Sequence, residues 1–209
     1  MMSELLSLPG LAGKTVVVTG ASGGQGLAET LGLLNSGATV IATDLQSEPT
    51  AEMLAAAEGL AGTLHYKKLD VASEADWAEV AEFAASLGNG VQGLVNNAGI
   101  PFRGRLGEMK VEDWNRVMDI NLTGPMLGMQ AIAPLMGPGA SIVNTGSAAA
   151  VTPHYTVSYT ASKWGLRGLT HVAATEYGAR GIRVNIVHPG YIETPMMAAA
   201  PAVMTGAQL

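Results

Sequence analysis

The chain contains no cysteine, which excludes a disulfide framework and any thiolate metal site. Its four histidines, His65, His154, His171 and His188, stand without ligand spacing, so no metal is expected. Charge is scarce as well: only 13% of residues are charged, the formal net charge is −6, and lysine and arginine never cluster. Nucleic-acid affinity comes chiefly from basic side chains that neutralise phosphates, so no nucleic-acid partner is expected. Long apolar runs are missing too, because Pro, Gly, Asn and Ser interrupt every stretch that could approach the roughly 18 residues of a membrane span. The opening MMSELLSLPG carries Glu4 where a signal peptide would be basic, and it lacks an apolar segment. A soluble cytoplasmic protein without a membrane partner is the expectation.

What is abundant is apolar and small. Of 209 residues, 48% are hydrophobic and 27 are glycine, which suits one compact α/β domain over 1–209 with a sheet buried on both faces. Runs rich in Val, Ile or Leu recur at 14–19, 39–43, 64–69, 91–96, 140–145 and 182–188. Stretches of helical composition lie between them at about 24–36, 50–59, 73–87, 111–136 and 156–178, with Ser73 and Asp76 marking a helix start. Such alternation predicts right-handed crossovers and a doubly wound parallel sheet, a Rossmann fold, with strand order 3-2-1-4-5-6. Ligands of these sheets bind beyond the carboxyl ends of the strands, where the order reverses. No linker or repeat suggests a second domain. After Thr194 the tail MMAAAPAVMTGAQL offers no strand; it reads as a flap over the crevice or as the stub of an incomplete chain.

Strand 1 runs into Thr19-Gly20-Ala21-Ser22-Gly23-Gly24-Gln25-Gly26 and then a helix. Glycines there permit a sharp turn and let a diphosphate approach the helix N-terminus, so Gly20, Ser22, Gly24, Gln25 and Gly26 are candidates to bind it. A plain strand-to-helix turn fits the motif alone. Asp44, 18 residues beyond Gly26, closes strand 2, where a carboxylate can accept hydrogen bonds from an adenosine ribose. Its neighbours Thr43, Leu45 and Gln46 include no cation to hold a 2′-phosphate, so NAD is favoured over NADP. Asp70 and Val71 follow strand 3, and Asp70 either reaches the adenine amino group or is a cap or turn residue before the next helix.

Tyr159 and Lys163 are four residues apart on one helix face. An ammonium beside a phenol favours the phenolate and suits it to acid/base work. Ser147 follows strand 5 on the same rim and is placed to stabilise charge on a substrate oxygen. Asn121 stands mid-helix, where asparagine is a poor helix former. Taken singly, a solvated helical pair, a loop serine and a satisfied asparagine account for the same residues; it is their joint order after the glycine turn that points to catalysis.

Together these residues resemble the classical short-chain dehydrogenase/reductase (SDR) family over about 12–195. The matching motifs are T-G-x-x-x-G-x-G at 19–26, N-N-A-G at 96–99, Asn121, Ser147, Y-x-x-x-K at 159–163 and Pro189-Gly190 with Thr194 after it. The resemblance implies an NAD(H)-dependent oxidoreductase that interconverts a secondary alcohol and its ketone. Tyr159 would exchange the proton, Ser147 orient the substrate oxygen, Lys163 bind the nicotinamide ribose, and Asn121 hold a water linking Lys163 to solvent. Asn97 and Gly99 would line the adenosine side, with Pro189, Ile192 and Thr194 at the nicotinamide end.

Gln25 departs from the aliphatic residue usual in that family, and the substrate lid and seventh strand that usually follow are expected to be absent or truncated. The alternative is an NAD-binding sensor or interaction protein without turnover; an epimerase or dehydratase is a third reading. Ala148, Ala149, Ala150 and Val151 suggest an apolar, alicyclic or steroid-like substrate, with Tyr155 as further lining and His154 either lining or, more simply, a loop residue. Small residues Gly124, Gly128, Ala161, Gly165 and Gly168 suggest close helix approach between subunits of a homodimer or homotetramer, and an exposed edge on strand 6 would invite pairing.

Overall fold

In the computed structural model, which describes residues 7–152 and 156–194, Val16 and Val18 pack into one apolar cluster and Val17, between them, into another. This alternation is the signature of a strand covered on both faces. It belongs to β1 (Thr15–Thr19), the centre of a six-stranded sheet with β2 (Thr39–Asp44), β3 (Thr63–Lys68), β4 (Val91–Asn96), β5 (Met136–Thr145) and β6 (Arg183–Val187). All neighbours are parallel and the order is β3-β2-β1-β4-β5-β6, as the alternation of strands and helices predicts.

On one face lie α1 (Gly24–Asn35) and α2 (Ala51–Ala57), which contribute Leu27, Leu34 and Met53 to the cluster around Val16, Val18, Val40 and Ala42. The other face is covered by α3 (Glu74–Ser86), α4 (Val111–Met118), α5 (Gly124–Ile132) and α6 (Val157–Gly178). Its larger cluster includes Val17, Ile41, Leu94, Ile142, Trp77 and Ile132. Fully burying such a side chain contributes about 1.5–3 kcal/mol, so these two layers fix the sheet and, with it, the strand ends.

The start of α3 is set by a reciprocal cap. Ser73 Oγ accepts from the Asp76 N–H at 3.2 Å and donates to Asp76 Oδ1 at 2.8 Å. The other oxygen, Asp76 Oδ2, accepts from the Asp70 N–H at 2.8 Å. These contacts, the Asp70 N–H first, hold the Asp76 carboxyl below its usual range, and they fix the turn that carries Asp70 and Val71.

Two boundaries differ from the sequence expectation. The helix expected over 111–136 is interrupted by a π-helical turn at Asp119–Thr123 and ends in a tighter turn at Ala133–Leu135. β5 then starts at Met136, pairing with Val91 before the register shifts to Gly93↔Ser141. Gly137, Pro138 and Gly139 lie in that shift, where Pro, lacking an N–H, is tolerated.

Three small residues read as subunit contacts serve the chain itself. A Cβ on Gly124 would meet Val71, one on Gly128 the Trp77 ring, and one on Gly165 Leu122. Gly168 is exposed with open space. Among the described residues, no helix is long and apolar enough to cross a membrane, and no group of acidic or histidine side chains is gathered to hold a metal. The sequence readings of His154 and Tyr155 as lining, and of the tail beyond Thr194, lie outside the described residues.

Candidate active site

A cleft of about 390 Å3 opens beyond the carboxyl ends of the strands, at the reversal of order between β1 and β4. Its floor is the turn after β1. Gly20 and Gly24 have φ of +64° and +56°, left-handed values that favour glycine, and a Cβ on Gly20 would stand 2.9 Å from the Ala98 Cα. Thr19 fastens this turn to β4: its Oγ1 accepts from the N–H groups of Asn97 and Ala98, both at 3.0 Å. Asn97 returns the contact, its Nδ2 donating to the carbonyls of Thr19 and Gly20 at 3.0 and 3.2 Å.

Gly23 is the N-cap of α1, where no side chain caps the helix and no acidic residue stands in the first turn. Gly23, Gly24 and Gln25 line the cleft, so the unpaired N–H groups and positive dipole end of a helix start are presented to an anion. Thr194 lies 3.5 Å from where a Gly24 Cβ would be, bringing the segment after β6 across this floor. The fit to a diphosphate is one of chemistry and space: unpaired donors at the helix start, no carboxylate among them, and glycines that leave the floor bare of side chains.

At the far end, Asp44 Oδ2 accepts from the Ser22 N–H at 2.9 Å and Oδ1 from the Leu45 N–H at 2.8 Å. Each carboxylate oxygen keeps a further lone pair for ribose hydroxyls. Tyr66 packs beside it, its hydroxyl 3.2 Å from Ser22 Oγ and donating to the Gln46 carbonyl at 3.2 Å. Asp70 Oδ1 accepts from the Ala72 N–H at 3.0 Å, so the turn-residue reading of Asp70 holds, while both Asp70 and Val71 line the cleft.

At the opposite end Tyr159 and Lys163 project from the first two turns of α6. Lys163 is 4% exposed, and its Nζ donates to the Thr145 carbonyl at 2.7 Å. Burial pushes its amine down from 10.5 to about 8. The same nitrogen lies 5.8 Å from the centre of the Tyr159 ring. Ser147 caps a short turn at Ala148–Ala150, its Oγ accepting from the Ala149 N–H at 3.1 Å, which leaves the hydroxyl proton to be donated.

Asn121 sits in the π-helical turn, wholly buried. Its Oδ1 accepts from the Ile100 N–H at 2.8 Å, and its Nδ2 donates to the Ile100 carbonyl at 3.0 Å and to Ser162 Oγ at 3.2 Å. The side chain is therefore a clamp on the wall of the cleft, and its placement in a π turn is a common feature of functional sites.

The sequence pattern of short chain dehydrogenases matches residues 14–204. The chain belongs to the short chain dehydrogenase family. The chain is 38% identical over 192 residues to a 3-alpha-(or 20-beta)-hydroxysteroid dehydrogenase of Mycobacterium tuberculosis, covering 89% of this chain and 72% of that protein. It is 43% identical over 194 residues to a 2,5-dichloro-2,5-cyclohexadiene-1,4-diol dehydrogenase of Sphingobium indicum, covering 90% and 76%. A solved short-chain type dehydrogenase/reductase from Mycobacterium ulcerans superposes with a TM-score of 0.85 at 30% identity, over 93% of this chain and 72% of that one.

In this short chain dehydrogenase the cleft gathers Gly20, Gly24, Gln25, Asp44, Asp70, Val71, Asn97, Gly99, Ser147, Tyr159, Lys163, Pro189, Ile192 and Thr194. Three expected residues stand behind it. The Ser22 N–H is given to Asp44, Gly26 is buried against the Gly20 carbonyl and the Asn97 amide, and Asn121 acts through Ile100. The alanines 148–150 are not part of the lining; Ala149 and Ala150 are buried in their turn. Apolar walls come instead from Leu45, Leu69, Ile100, Ile120 and Ile192. Sequence reasoning passed over Thr145 and His188, each within two positions of a motif residue, because their contribution is a main-chain carbonyl and a contact made only in the fold.

Proposed function

We propose that this short chain dehydrogenase is an NAD(H)-dependent oxidoreductase that interconverts a secondary alcohol and its ketone. The observation that carries the reading is the placement of Tyr159, Lys163 and Ser147 in one cleft with the uncapped start of α1. Gly20, Gly24 and Gln25 would hold the diphosphate, Asp44 the adenosine ribose, Lys163 the nicotinamide ribose, and Pro189, Ile192 and Thr194 the nicotinamide end. When bound, the dinucleotide supplies or accepts the hydride.

The chain's own residues handle the proton. Ser147 donates a hydrogen bond to the substrate oxygen and holds it towards Tyr159. In the reductive direction the Tyr159 hydroxyl gives its proton to that oxygen; in the oxidative direction it takes the proton back. Lys163, mostly protonated at neutral pH with its amine at about 8, places positive charge beside the phenol. Asn121 sets the Ile100 wall, and a water held at Asn121 would link Lys163 to solvent.

Asp44 favours NAD, since a 2′-phosphate would meet like charge and Lys163 is the one cation among the described lining residues. The apolar walls, together with the steroid and cyclohexadiene-diol activities named for the two relatives, support an alicyclic or steroid-like alcohol. A cytoplasmic homodimer or homotetramer completes the reading, in which Trp164 and Val172, exposed on α6, offer a face for a second copy.

The deciding experiment is Tyr159→Phe, assayed by NADH absorbance against a panel of alicyclic secondary alcohols with NAD binding followed by calorimetry. Turnover should vanish while binding persists. Wild-type turnover in that variant removes the role assigned to Tyr159, and binding without turnover in the unmodified protein favours a sensor.

A further inference from the structure

The loop that carries Ser147 is tied to the end of β6 and the residues that follow it at three consecutive points. The Gly146 N–H donates to the Val187 carbonyl at 2.8 Å, and the Ala148 N–H donates to the Pro189 carbonyl at 2.9 Å. Between them stands His188. Its Nδ1 lies 3.0 Å from the Ser147 carbonyl oxygen and 3.3 Å from the Ser147 nitrogen. With a proton on Nδ1 the ring donates to the carbonyl; without one it accepts from the N–H. Either tautomer ties the main chain of Ser147 to the imidazole.

The site is built for the ring. A Cβ on Gly146 would stand 2.6 Å from His188 Nδ1 and 2.7 Å from the Val187 carbonyl oxygen, so a side chain at 146 is incompatible with the imidazole where it lies. His188 is half-buried and lies outside the cleft lining. The rest of the loop has other holders: Lys163 takes the Thr145 carbonyl and Arg167 the Ala150 carbonyl, at 2.7 and 3.4 Å. His188 is the side chain that hydrogen-bonds the main chain of Ser147 itself.

We infer that His188 is the positioning residue of Ser147, locking the main chain of the serine to the strand end that leads into Pro189. The inference rests on the oxidoreductase reading above for its kinetic consequence, and on geometry alone for its structural one. A displacement of the order of 1 Å at a reacting group costs up to about a hundredfold in rate. The loss should appear in kcat, because His188 lies outside the cleft lining.

The test compares His188→Leu, which keeps a branched side chain without polar atoms, with His188→Asn, whose amide offers a donor and an acceptor at the position of Nδ1. The Leu variant should lose about ten- to a hundredfold in kcat with KM for the dinucleotide within about threefold of wild type, and Asn should restore most of the rate. A Leu variant with wild-type kcat overturns the inference; so does an Asn variant as slow as Leu, which would assign the loss to ring volume. If the unmodified protein turns over no secondary alcohol, the functional reading has failed by itself. Crystal structures of the two variants then decide: Ser147 displaced in Leu and in place in Asn sustains the inference, and Ser147 unmoved in both overturns it.

Discussion

The ammonium of Lys163 donates to the main-chain carbonyl of Thr145 at 2.7 Å, so a cation on α6 is seated on the last residue of β5. A buried charge whose main partner is a neutral carbonyl is costly, and burial pushes this amine down to about 8. On the proposed function the fold tolerates the cost where a proton is handled, a trade of stability for chemistry that can be measured.

Lys163→Met should separate the two. The folded amine at about 8 lies below the unfolded value of 10.5, so between those values the unfolded chain binds more protons and wild-type stability rises with pH. Below about 8 the penalty is fully present. The Met variant should therefore be more stable than wild type at pH 7 by roughly 1–3 kcal/mol, less what is lost at the orphaned Thr145 carbonyl. Its advantage should shrink as pH rises towards 10.5, while turnover falls at least about a hundredfold. Urea titrations at pH 7 and pH 10 check the sign; identical pH dependence in both proteins would refute the buried charge.

In the proposed function Asp44 selects between the two dinucleotides. Its two oxygens accept from Ser22 and Leu45, so removing the carboxylate costs the turn two acceptors as well as its charge. Asp44→Ser should weaken NAD and shift the NADP-to-NAD ratio of kcat/KM towards NADP by about tenfold or more. Steady-state kinetics with both dinucleotides measure this, and an unchanged ratio would remove Asp44 from recognition.

Steric closeness makes Gly26 a separate case. A Cβ there would run into the Gly20 carbonyl and stand 2.6 Å from Asn97 Nδ2. Gly26→Ala should cost about 1–3 kcal/mol and weaken dinucleotide binding, because the Gly20 turn must move. Gly32→Ala, in the same helix with nothing within 4 Å, should be neutral or stabilise by about 0.5–1 kcal/mol. Thermal melting of the pair is the measurement; equal losses would mean that the close approach is not what requires glycine at 26.

The contrast between those glycines also marks how far the sequence could be read. Strand order followed from the alternation of apolar runs and helices, and the cleft from residues that share local motifs, such as Tyr159 with Lys163. What escaped was whatever depends on a partner distant in sequence. Gly124 and Gly128 looked like surface positions until Val71 and Trp77 were seen against them, and the clamp that the Asn121 side chain places on Ile100 has no local signal in the sequence. The buried chain from Asn96 Nδ2 to Asn144 Oδ1, and from Asn144 Nδ2 to Thr170 Oγ1, joins β4, β5 and α6 through residues whose spacing carries no local periodicity.

Asn121 gives the sharpest test of such a contact, because an isosteric change removes the donor of two hydrogen bonds, to the Ile100 carbonyl and to Ser162 Oγ. In Asn121→Asp one oxygen can still accept from the Ile100 N–H, but the other replaces Nδ2, which donates to the Ile100 carbonyl at 3.0 Å. Two acceptors then face each other in a fully buried site. The variant should lose about 2–4 kcal/mol at pH 7, and turnover should fall as the Ile100 wall shifts. Its carboxyl, buried and disfavoured as an anion, should have a folded pKa above the unfolded reference of about 3.9. The folded state then binds the extra proton, the acid form donates to Ile100 again, and the deficit relative to wild type should narrow as pH falls from 7 towards 5. Denaturant titrations of both proteins across that range measure it, and a deficit that stays constant or widens on acidification would show that the Ile100 carbonyl does not depend on the Asn121 amide.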